Sequence, residues 1–357
     1  RIEMKRFALS WFLMLFALIA AAPGFAQLSQ LEALLKDLEG KHQFYGSVLV
    51  RKGNDTLFQS AYGAHEPPYP TPRNSPDSVY YIAQCGEIFS GVVTMMAVDK
   101  GLMSVDAPIG TYVPAFKDKP GPRVRDLLSH SSGLVHRMIY TGDKPRTKAI
   151  TTAMAAEDGL AFAPGSRSTY CPSDFDVLGC ALEQVTGKPY RQLLEEWILA
   201  PLGLKRTGLG LFPEGNQDLA RIPRMNDWNY WLKLFPDGSL PTDMYSCPGD
   251  LAAFLDALAS GRLVAKGTFE LMRAGQFPNG TRKVGLGCLV TQAGAVFNQG
   301  SLGGTSSDLG GYHALALHDT RYGLTIVLLA NKWKPDPSGD AVDLVVPTVY
   351  ASLGLAE

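Results

Sequence analysis

The sequence has almost no net charge, few cysteines and no metal-binding spacing. Its 33 Lys and Arg nearly balance 34 Asp and Glu, for a formal net charge of −1. Charge therefore gives no reason to predict nucleic acid or an anionic membrane surface as a partner. The cysteines form no CxxC pair, so the sequence predicts neither a metal site nor a metal cofactor. The odd number of five would leave at least one thiol free or paired between chains in an exported protein: Cys85, Cys171, Cys180, Cys247 and Cys288.

Long apolar runs are confined to the first residues. Lys5 and Arg6 precede the apolar run Phe7 to Ala22, and small residues follow it as far as Ala26. This order is typical of a secretory signal peptide over residues 1–26, with Met4 as the start of translation. The structural alternative is an uncleaved N-terminal anchor. Cleavage is the preferred interpretation, and it predicts an exported protein, periplasmic or secreted, without a later transmembrane span.

The remaining pattern predicts a mixed α/β chain. Leucines at helical spacing from Leu28 to Leu38 indicate an amphipathic helix that ends at Gly40. A β-hairpin is expected over residues 45–63, and the chain returns to strands near residues 285–290, 312–317 and 323–331. A covering helix is expected from Asp340 to Leu355. The short connections between the late strands indicate an antiparallel sheet.

The chain is organised around the segment from Val79 to Glu87 and the helix that follows it. Apolar residues recur at helical spacing from Phe89 to Ala97, and Gly101 is placed to end the helix. The N-terminus of a buried helix offers free N–H groups and a partial positive charge. Nucleophiles and oxyanion holes are commonly built at such positions. Cys85 is one residue farther along, which predicts that its sulfur points into packing.

Residues 82–108 resemble the nucleophile region of the serine β-lactamase-like and penicillin-binding-protein-like family. That family includes class C β-lactamases, D-alanyl-D-alanine carboxypeptidases and esterases. The resemblance implies an α/β fold of the α+β type, in which an antiparallel sheet is flanked by N- and C-terminal helices and interrupted by a mostly helical inserted domain. It predicts an α/β sandwich domain over residues 27–76 and 263–357, and the helical insert over residues 77–262.

The three catalytic motifs of that family are altered in this sequence. The pattern Ser-x-x-Lys reads Gln84-x-x-Glu87, and Tyr-x-Asn reads Tyr170-x-Pro172. The best match to Lys/His-x-Gly is Ser301-x-Gly303, followed by Gly304. A glutamine amide is not a nucleophile, and the change from lysine to glutamate moves the site by two charges toward negative.

A fourth segment, from Arg125 to Leu134, closely matches the family's Leu-Leu-Thr-His-Thr-Ser-Gly-Leu. Both a catalytic and a structural role are conceivable for His130. The structural role is preferred, with the imidazole and neighbouring hydroxyls bonded to local backbone.

The sequence therefore predicts a catalytically degenerate family member that binds a small acyl, peptide or ester ligand, or a partner protein, in the cleft between its domains. The alternative is an active hydrolase of esters or amides with a non-standard site around Glu87 and Tyr170. Pro172, Ser301, Gly303 and Gly304 are candidate ligand-binding positions. Trp228 and Trp231 are a possible aromatic wall, or else pack a long loop onto the helices. Glu87, without a cation of its own, would favour a neutral or cationic ligand.

Overall fold

The computed structural model describes residues 28–67, 69, 72–135, 147–210, 212, 217–222, 243–302, 311–334 and 340–356. Within them, an eight-stranded antiparallel sheet has the order β2-β1-β11-β10-β9-β8-β7-β6. The predicted α/β class and antiparallel sheet are confirmed. The strands are β1 (Phe44–Lys52), β2 (Asp55–Tyr62), β6 (Phe277–Asn279), β7 (Arg282–Val284), β8 (Leu289–Thr291), β9 (Val296–Leu302), β10 (Tyr312–Asp319) and β11 (Leu324–Trp333).

The sheet is buried on both faces. In β10, Leu315 and Leu317 pack with the terminal helices, whereas Ala314 and Ala316 belong to the core shared with the central helices. Successive side chains of a strand point to opposite faces, so two layers of helices need near-continuous apolar strands rather than apolar–polar alternation. The terminal helices are α1 (Ser29–Gly40) and α10 (Ala341–Ser352), both predicted from the sequence.

The segment between β2 and β6 supplies most of the helices. It also holds a small second sheet of order β3-β5-β4, made of Tyr80–Tyr81, Met244–Ser246 and Gly208–Leu209. The division into domains at residues 76/77 and 262/263 stays a prediction. The helices are α2 (Glu87–Asp99), α3 (Val124–Leu128), α4 (Lys148–Asp158), α5 (Ser173–Thr186), α6 (Tyr190–Leu194), α7 (Ala200–Leu202), α8 (Pro248–Ala259) and α9 (Lys266–Arg273).

Helix α2 runs through the centre of the molecule. Most of its apolar residues are buried, and Phe89 stacks on Phe254 of α8 at a centroid distance of 3.9 Å. A Cβ on Gly91 would lie 2.7 Å from the Cα of Gly287, so the helix and the segment before β8 touch through backbone. This close contact fixes the N-terminus of α2 against the sheet, where the candidate site lies.

Candidate functional site

Gln84 lies in a one-turn 3₁₀ helix, Ala83–Gly86, that leads directly into α2. Ala83 has a φ of 47°, a left-handed conformation that costs a residue with a side chain about 1–2 kcal/mol. The side-chain Oε1 of Gln84 accepts a hydrogen bond from the backbone N–H of Ser301 in β9, at 2.9 Å. The side-chain carbonyl of Gln84 is therefore the hydrogen-bond acceptor for a strand N–H beside the N-terminus of the central helix.

Gly300 brings β9 against this turn. A Cβ at Gly300 would lie 2.6 Å from the backbone nitrogens of Gln84 and Cys85, closer than real Cβ atoms approach. Asn298, two residues earlier, donates a hydrogen bond from its side-chain Nδ2 to the backbone carbonyl of Gln84 at 3.4 Å. The sequence comparison missed Asn298 and Gly300, because their strand does not show the alternation expected of β-structure. The signal that could have found them is the glycine two residues after Asn298, which has the same spacing as the glycine in the family's Lys/His-x-Gly pattern.

Glu87 is buried in the floor of the site, with 4% of its surface exposed. Its Oε2 lies 3.3 Å from Nε2 of His130, and its Oε1 accepts a hydrogen bond from the Tyr170 hydroxyl at 3.1 Å. Tyr170 is 47% exposed and stands at the edge of the pocket. The structure thus brings Gln84, Glu87 and Tyr170 together, as the motif positions predicted.

The hydroxyls beside His130 bond to local backbone, as predicted. Ser129 donates to the Arg125 carbonyl at 2.8 Å, and Ser132 accepts from the Leu134 N–H at 3.0 Å.

The imidazole of His130 departs from the prediction. The ring joins two carboxylates, since Nδ1 lies 3.1 Å from Oδ2 of Asp174 on α5. The backbone N–H of Cys171 also lies 3.4 Å from Nδ1, which is a longer contact than the one with the carboxylate. Asp174 is fully buried and also accepts a 2.6 Å hydrogen bond from Ser132. His130 itself has a φ of 51°, which turns the ring toward Glu87 from the loop after α3. Asp174 gave no sequence signal as a site residue, because acidic residues are common in the first turn of a helix.

The charges of this cluster are set by proximity. Burial alone would lower the pKa of His130, but the carboxylates of Glu87 and Asp174 raise it to about 10. Burial raises the pKa of Asp174 to about 6, against the lowering effect of its bonds to His130 and Ser132. His130 is therefore an imidazolium at neutral pH. The prediction that Glu87 has no cation of its own is wrong.

Pro172 and Cys85 lie outside the pocket. Pro172 precedes α5 with a φ of −58° and makes no side-chain hydrogen bond to cap that helix. Cys85 is fully buried, and its Sγ lies 3.5 Å from the Asn298 carbonyl, so it points into packing as predicted. Burial raises the pKa of its thiol to about 12, which leaves no thiolate at neutral pH. Gly303, Gly304, Trp228 and Trp231 lie outside the described residues.

Ser301 forms a second polar pair. Its Oγ lies 2.8 Å from Nδ1 of His313 on β10, the residue directly opposite it in the sheet. His313 is 2% exposed, and its ring stacks on Trp333 at 5.1 Å between centroids. Burial lowers the pKa of His313 to about 4, so the ring is neutral at physiological pH.

These residues surround a pocket of about 390 Å³. Gln84, Glu87 and His130 line it together with Ser301 and His313. Its apolar wall comes from helices and sheet alike: Leu128, Phe175, Val284 and Leu289. The size suits a small molecule or the end of a peptide. In the described part of the chain, no group of His, Cys, Asp and Glu could hold a metal ion.

A family model described as Beta-lactamase matches residues 31–347, almost the whole described chain. The chain belongs to the Beta-lactamase family. Among curated proteins, it is 30% identical over 251 residues to the D-alanyl-D-alanine-carboxypeptidase/endopeptidase AmpH of Escherichia coli K12. That alignment covers 63% of this chain and 61% of AmpH, which is less than two thirds of the relative. Penicillin-binding protein 4* of Bacillus subtilis 168 is 26% identical over 184 residues, covering 50% of this chain and 40% of that protein.

Solved structures of this fold cover more of the chain. D-amino acid amidase from Ochrobactrum anthropi SV3, complexed with D-phenylalanine, superposes with a TM-score of 0.75 at 23% identity. The match covers 92% of this chain and 99% of the amidase. An octameric penicillin-binding protein homologue from Pyrococcus abyssi gives a TM-score of 0.72 at 22% identity, over 91% and 77% of the two chains. At these identities the likeness establishes the fold of this β-lactamase-family chain, with its antiparallel sheet and helices.

Proposed function

We propose that this Beta-lactamase family member binds a small acyl, peptide or ester ligand without forming an acyl-enzyme. The observation that carries this proposal is the hydrogen bond from the Ser301 N–H to Oε1 of Gln84, at 2.9 Å. A strand N–H beside the head of α2 is suited to bind the oxygen of a reacting carbonyl. Here a side-chain amide fills that place, and the same side chain stands where the family pattern has its serine.

Among the described residues of the site, His130 is not available to accept a proton. His130 contacts Glu87, the first residue of α2, and the carboxylates of Glu87 and Asp174 raise its pKa to about 10 against the effect of burial. A general base must be unprotonated at the working pH and within reach of the proton it takes. His130 is protonated and committed to two carboxylates, at 3.3 and 3.1 Å. A serine introduced at position 84 would therefore still lack activation.

Ligand binding is supported by the pocket, which persists although the motif residues differ. Its volume of about 390 Å³ and its mixture of apolar and hydrogen-bonding side chains fit a small ligand. Two similar proteins, a D-alanyl-D-alanine-carboxypeptidase/endopeptidase and an amidase complexed with D-phenylalanine, favour amino-acid or peptide chemistry. We extend the proposal to an exported protein, on the strength of the signal-peptide pattern in residues 1–26.

The alternative function is an ester or amide hydrolase that uses Glu87 and Tyr170 on a bound water. It is favoured by the 3.1 Å contact between these residues at the mouth of the pocket. It is disfavoured by the partners of Glu87, since Tyr170 and His130 each engage one of its carboxylate oxygens. A carboxylate with both oxygens engaged is poorly placed to receive a proton from water.

The test is covalent labelling of the purified, processed protein with a fluorescent penicillin and a fluorophosphonate, followed by intact mass. A Ser-x-x-Lys relative labelled in parallel is the positive control. We expect no mass increase on this chain. A stoichiometric adduct on residues 84–87, or on a serine of the pocket, would overturn the non-acylating proposal. Steady release of product from an ester without an adduct would favour the hydrolase instead.

A further inference from the structure

The pair Ser301–His313 has a fixed hydrogen-bond polarity. The backbone N–H of Ala341, the first residue of α10, points to Nε2 of His313 at 3.4 Å. A backbone N–H can only donate, and among the described residues it is the partner that contacts Nε2, so this nitrogen is the acceptor. At His130 a similar contact from the Cys171 N–H to Nδ1, also 3.4 Å, is outweighed by the shorter 3.1 Å contact of that nitrogen with the Asp174 carboxylate. The neutral imidazole of His313 carries one proton, which then sits on Nδ1. Nδ1–H therefore donates to Oγ of Ser301 across the 2.8 Å contact.

This polarity decides what Ser301 can do. Because His313 already carries a proton on the nitrogen that faces Oγ, it cannot take the serine proton. Ser301 is thus not an activated nucleophile, although a serine lies beside a histidine. Its hydroxyl oxygen accepts from His313, which leaves the hydroxyl proton to be donated elsewhere. Ser301 lines the pocket, so its hydroxyl proton can be donated to a ligand that binds there.

The orientation of the Gln84 amide follows from the same rule. The Ser301 N–H donates at 2.9 Å, so the carbonyl oxygen of the amide must face the strand. The NH₂ group then faces away from the strand, on a side chain that lines the pocket. Two donors, Nε2–H of Gln84 and Oγ–H of Ser301, are thereby presented to the same cavity.

We propose that Gln84 and Ser301 together recognise the carbonyl oxygen of a neutral amide or ester ligand. This inference rests on the proposed non-acylating binding function and names its ligand class. The two donors are oriented by different partners. The side-chain carbonyl of Gln84 accepts a hydrogen bond from the Ser301 N–H, so its NH₂ group faces the pocket. The Ser301 hydroxyl accepts a hydrogen bond from His313 on the neighbouring strand, so its proton is available to a ligand.

Charge in the pocket favours a neutral ligand over both charged classes. A carboxylate needs an available cation, but His130 is already shared by Glu87 and Asp174. An amine needs an available carboxylate, but Glu87 is held by His130 and Tyr170. Asp340, at the pocket edge, accepts a 2.9 Å hydrogen bond from Gln299 and lies 3.6 Å from Arg282. Either ion would compete with partners that are already in place.

The binding test uses three probes with one skeleton: 3-phenylpropanamide, 3-phenylpropanoate and 3-phenylpropylamine. Dissociation constants are measured calorimetrically on the full chain and on three variants. We expect the amide to bind most tightly to the wild type. Ser301→Ala should weaken the amide about threefold to tenfold, the usual effect of one lost hydrogen bond, and Ser301→Thr should restore it.

Ser168→Ala is the matched control, because Ser168 also lines the pocket but donates its hydroxyl to the Ser129 carbonyl at 2.9 Å. We expect it to change amide binding less than twofold. Tightest binding of the amine or the carboxylate, equal binding by Ser301→Ala, or no binding of the amide at all would each overturn the inference. None of these outcomes produces a covalent adduct, so they are distinguishable from failure of the non-acylating proposal.

The polarity of the pair has a test of its own that needs no ligand. Nitrogen-15 NMR of histidine-labelled protein, with the His313 signals identified by their loss in His313→Asn, reports the tautomer directly. We expect a neutral ring protonated on Nδ1 at pH 7. A ring protonated on Nε2 would make His313 a proton acceptor for Ser301, and that result would overturn the recognition pair.

Discussion

Nε2 of His130 lies 3.3 Å from Oε2 of Glu87. The resemblance to the family aligns Glu87 with the lysine of its Ser-x-x-Lys pattern. The ion pair restores a positive charge to the site, but on a ring that a second carboxylate, Asp174, also holds. The imidazolium of His130 therefore stabilises the floor of the pocket and is not available as a base for proton transfer.

The first prediction concerns pH. The two carboxylates, opposing the effect of burial, raise the pKa of His130 to about 10, against about 6.5 in an unfolded chain. The folded state thus holds this proton more tightly, so its contribution to stability is complete below about pH 6.5 and disappears as the pH rises through about 10. We expect the Tm to fall between pH 7 and pH 10, as followed by circular dichroism.

His130→Asn is the matched variant, because asparagine tolerates the φ of 51° at this position. Its Tm should fall less steeply over the same pH range than that of the wild type. Buried tyrosines and cysteines also titrate in this range, but they are common to both proteins and cancel in the comparison. Identical slopes would show that His130 does not hold its proton as argued.

The second prediction compares the members of the cluster at pH 7. Glu87→Gln keeps the shape and leaves His130 balanced by Asp174, so we expect a loss below about 1 kcal/mol. His130→Asn leaves two buried carboxylates without a cation, and we expect a loss of about 3 kcal/mol. Urea unfolding of both variants measures the difference. A larger loss in Glu87→Gln than in His130→Asn would contradict the assignment of the charges.

The third prediction concerns restoration of the first motif. Gln84→Ser with Glu87→Lys should give at most weak hydrolysis of p-nitrophenyl butyrate, because Pro172 supplies no side-chain hydrogen bond and Ser301 supplies no charge. The new lysine would lie beside His130, so we also expect a lower Tm than that of the wild type. Gln84→Ser alone, which lacks a base, should be inactive. Turnover typical of an active relative would show that the first motif is the only deficit.

The fourth prediction tests the approach of β9 to the central turn. A Cβ at Gly300 would meet the backbone nitrogens of Gln84 and Cys85 at 2.6 Å, so Gly300→Ala must push the strand away. We expect a loss of about 1–3 kcal/mol in the free energy of unfolding. Gly267→Ala in helix α9 is the control, since a Cβ at Gly267 would have no atom within 4 Å. Equal stability of the two variants would disprove the close contact.

The fifth prediction concerns the thiols, all of which are free. Burial raises the pKa of four of them, Cys85, Cys171, Cys247 and Cys288, to about 12. Native protein at pH 8 should therefore resist iodoacetamide, and only the partly buried Cys180 should be modified, slowly. Peptide mapping after labelling, with urea-unfolded protein as the reference, identifies the sites. Rapid modification of Cys85 would contradict its position in the core.

The elements that the sequence predicted are those with strong local patterns. Apolar spacing gave helix α1, the hairpin of β1 and β2, helix α2 and strands β10 and β11, close to their observed bounds. The motif positions Gln84, Glu87 and Tyr170 came from the resemblance to the family patterns Ser-x-x-Lys and Tyr-x-Asn, in which each position is fixed by its spacing along the chain. Strand β9 was missed. Its residues Asn298, Gln299 and Gly300 weaken the alternation that marks a strand, since they serve the contact with the central turn.

The sequence by itself identified the family, through its resemblance to known motif segments, and predicted the sheet-and-helix architecture, because apolar spacing is a local property. The replacement of the motif serine and lysine by Gln84 and Glu87 stays a prediction from that resemblance. Only the tertiary structure decided the charges and polarities of the site. His130, Asp174 and Glu87 come from three separate segments, and burial with 3.1–3.3 Å contacts makes the histidine a cation. His313 is neutral by the opposite cause, since it is buried without a carboxylate bonded to its ring. Two histidines of identical chemistry differ because folding places one between acids and the other between a serine and a helix N–H.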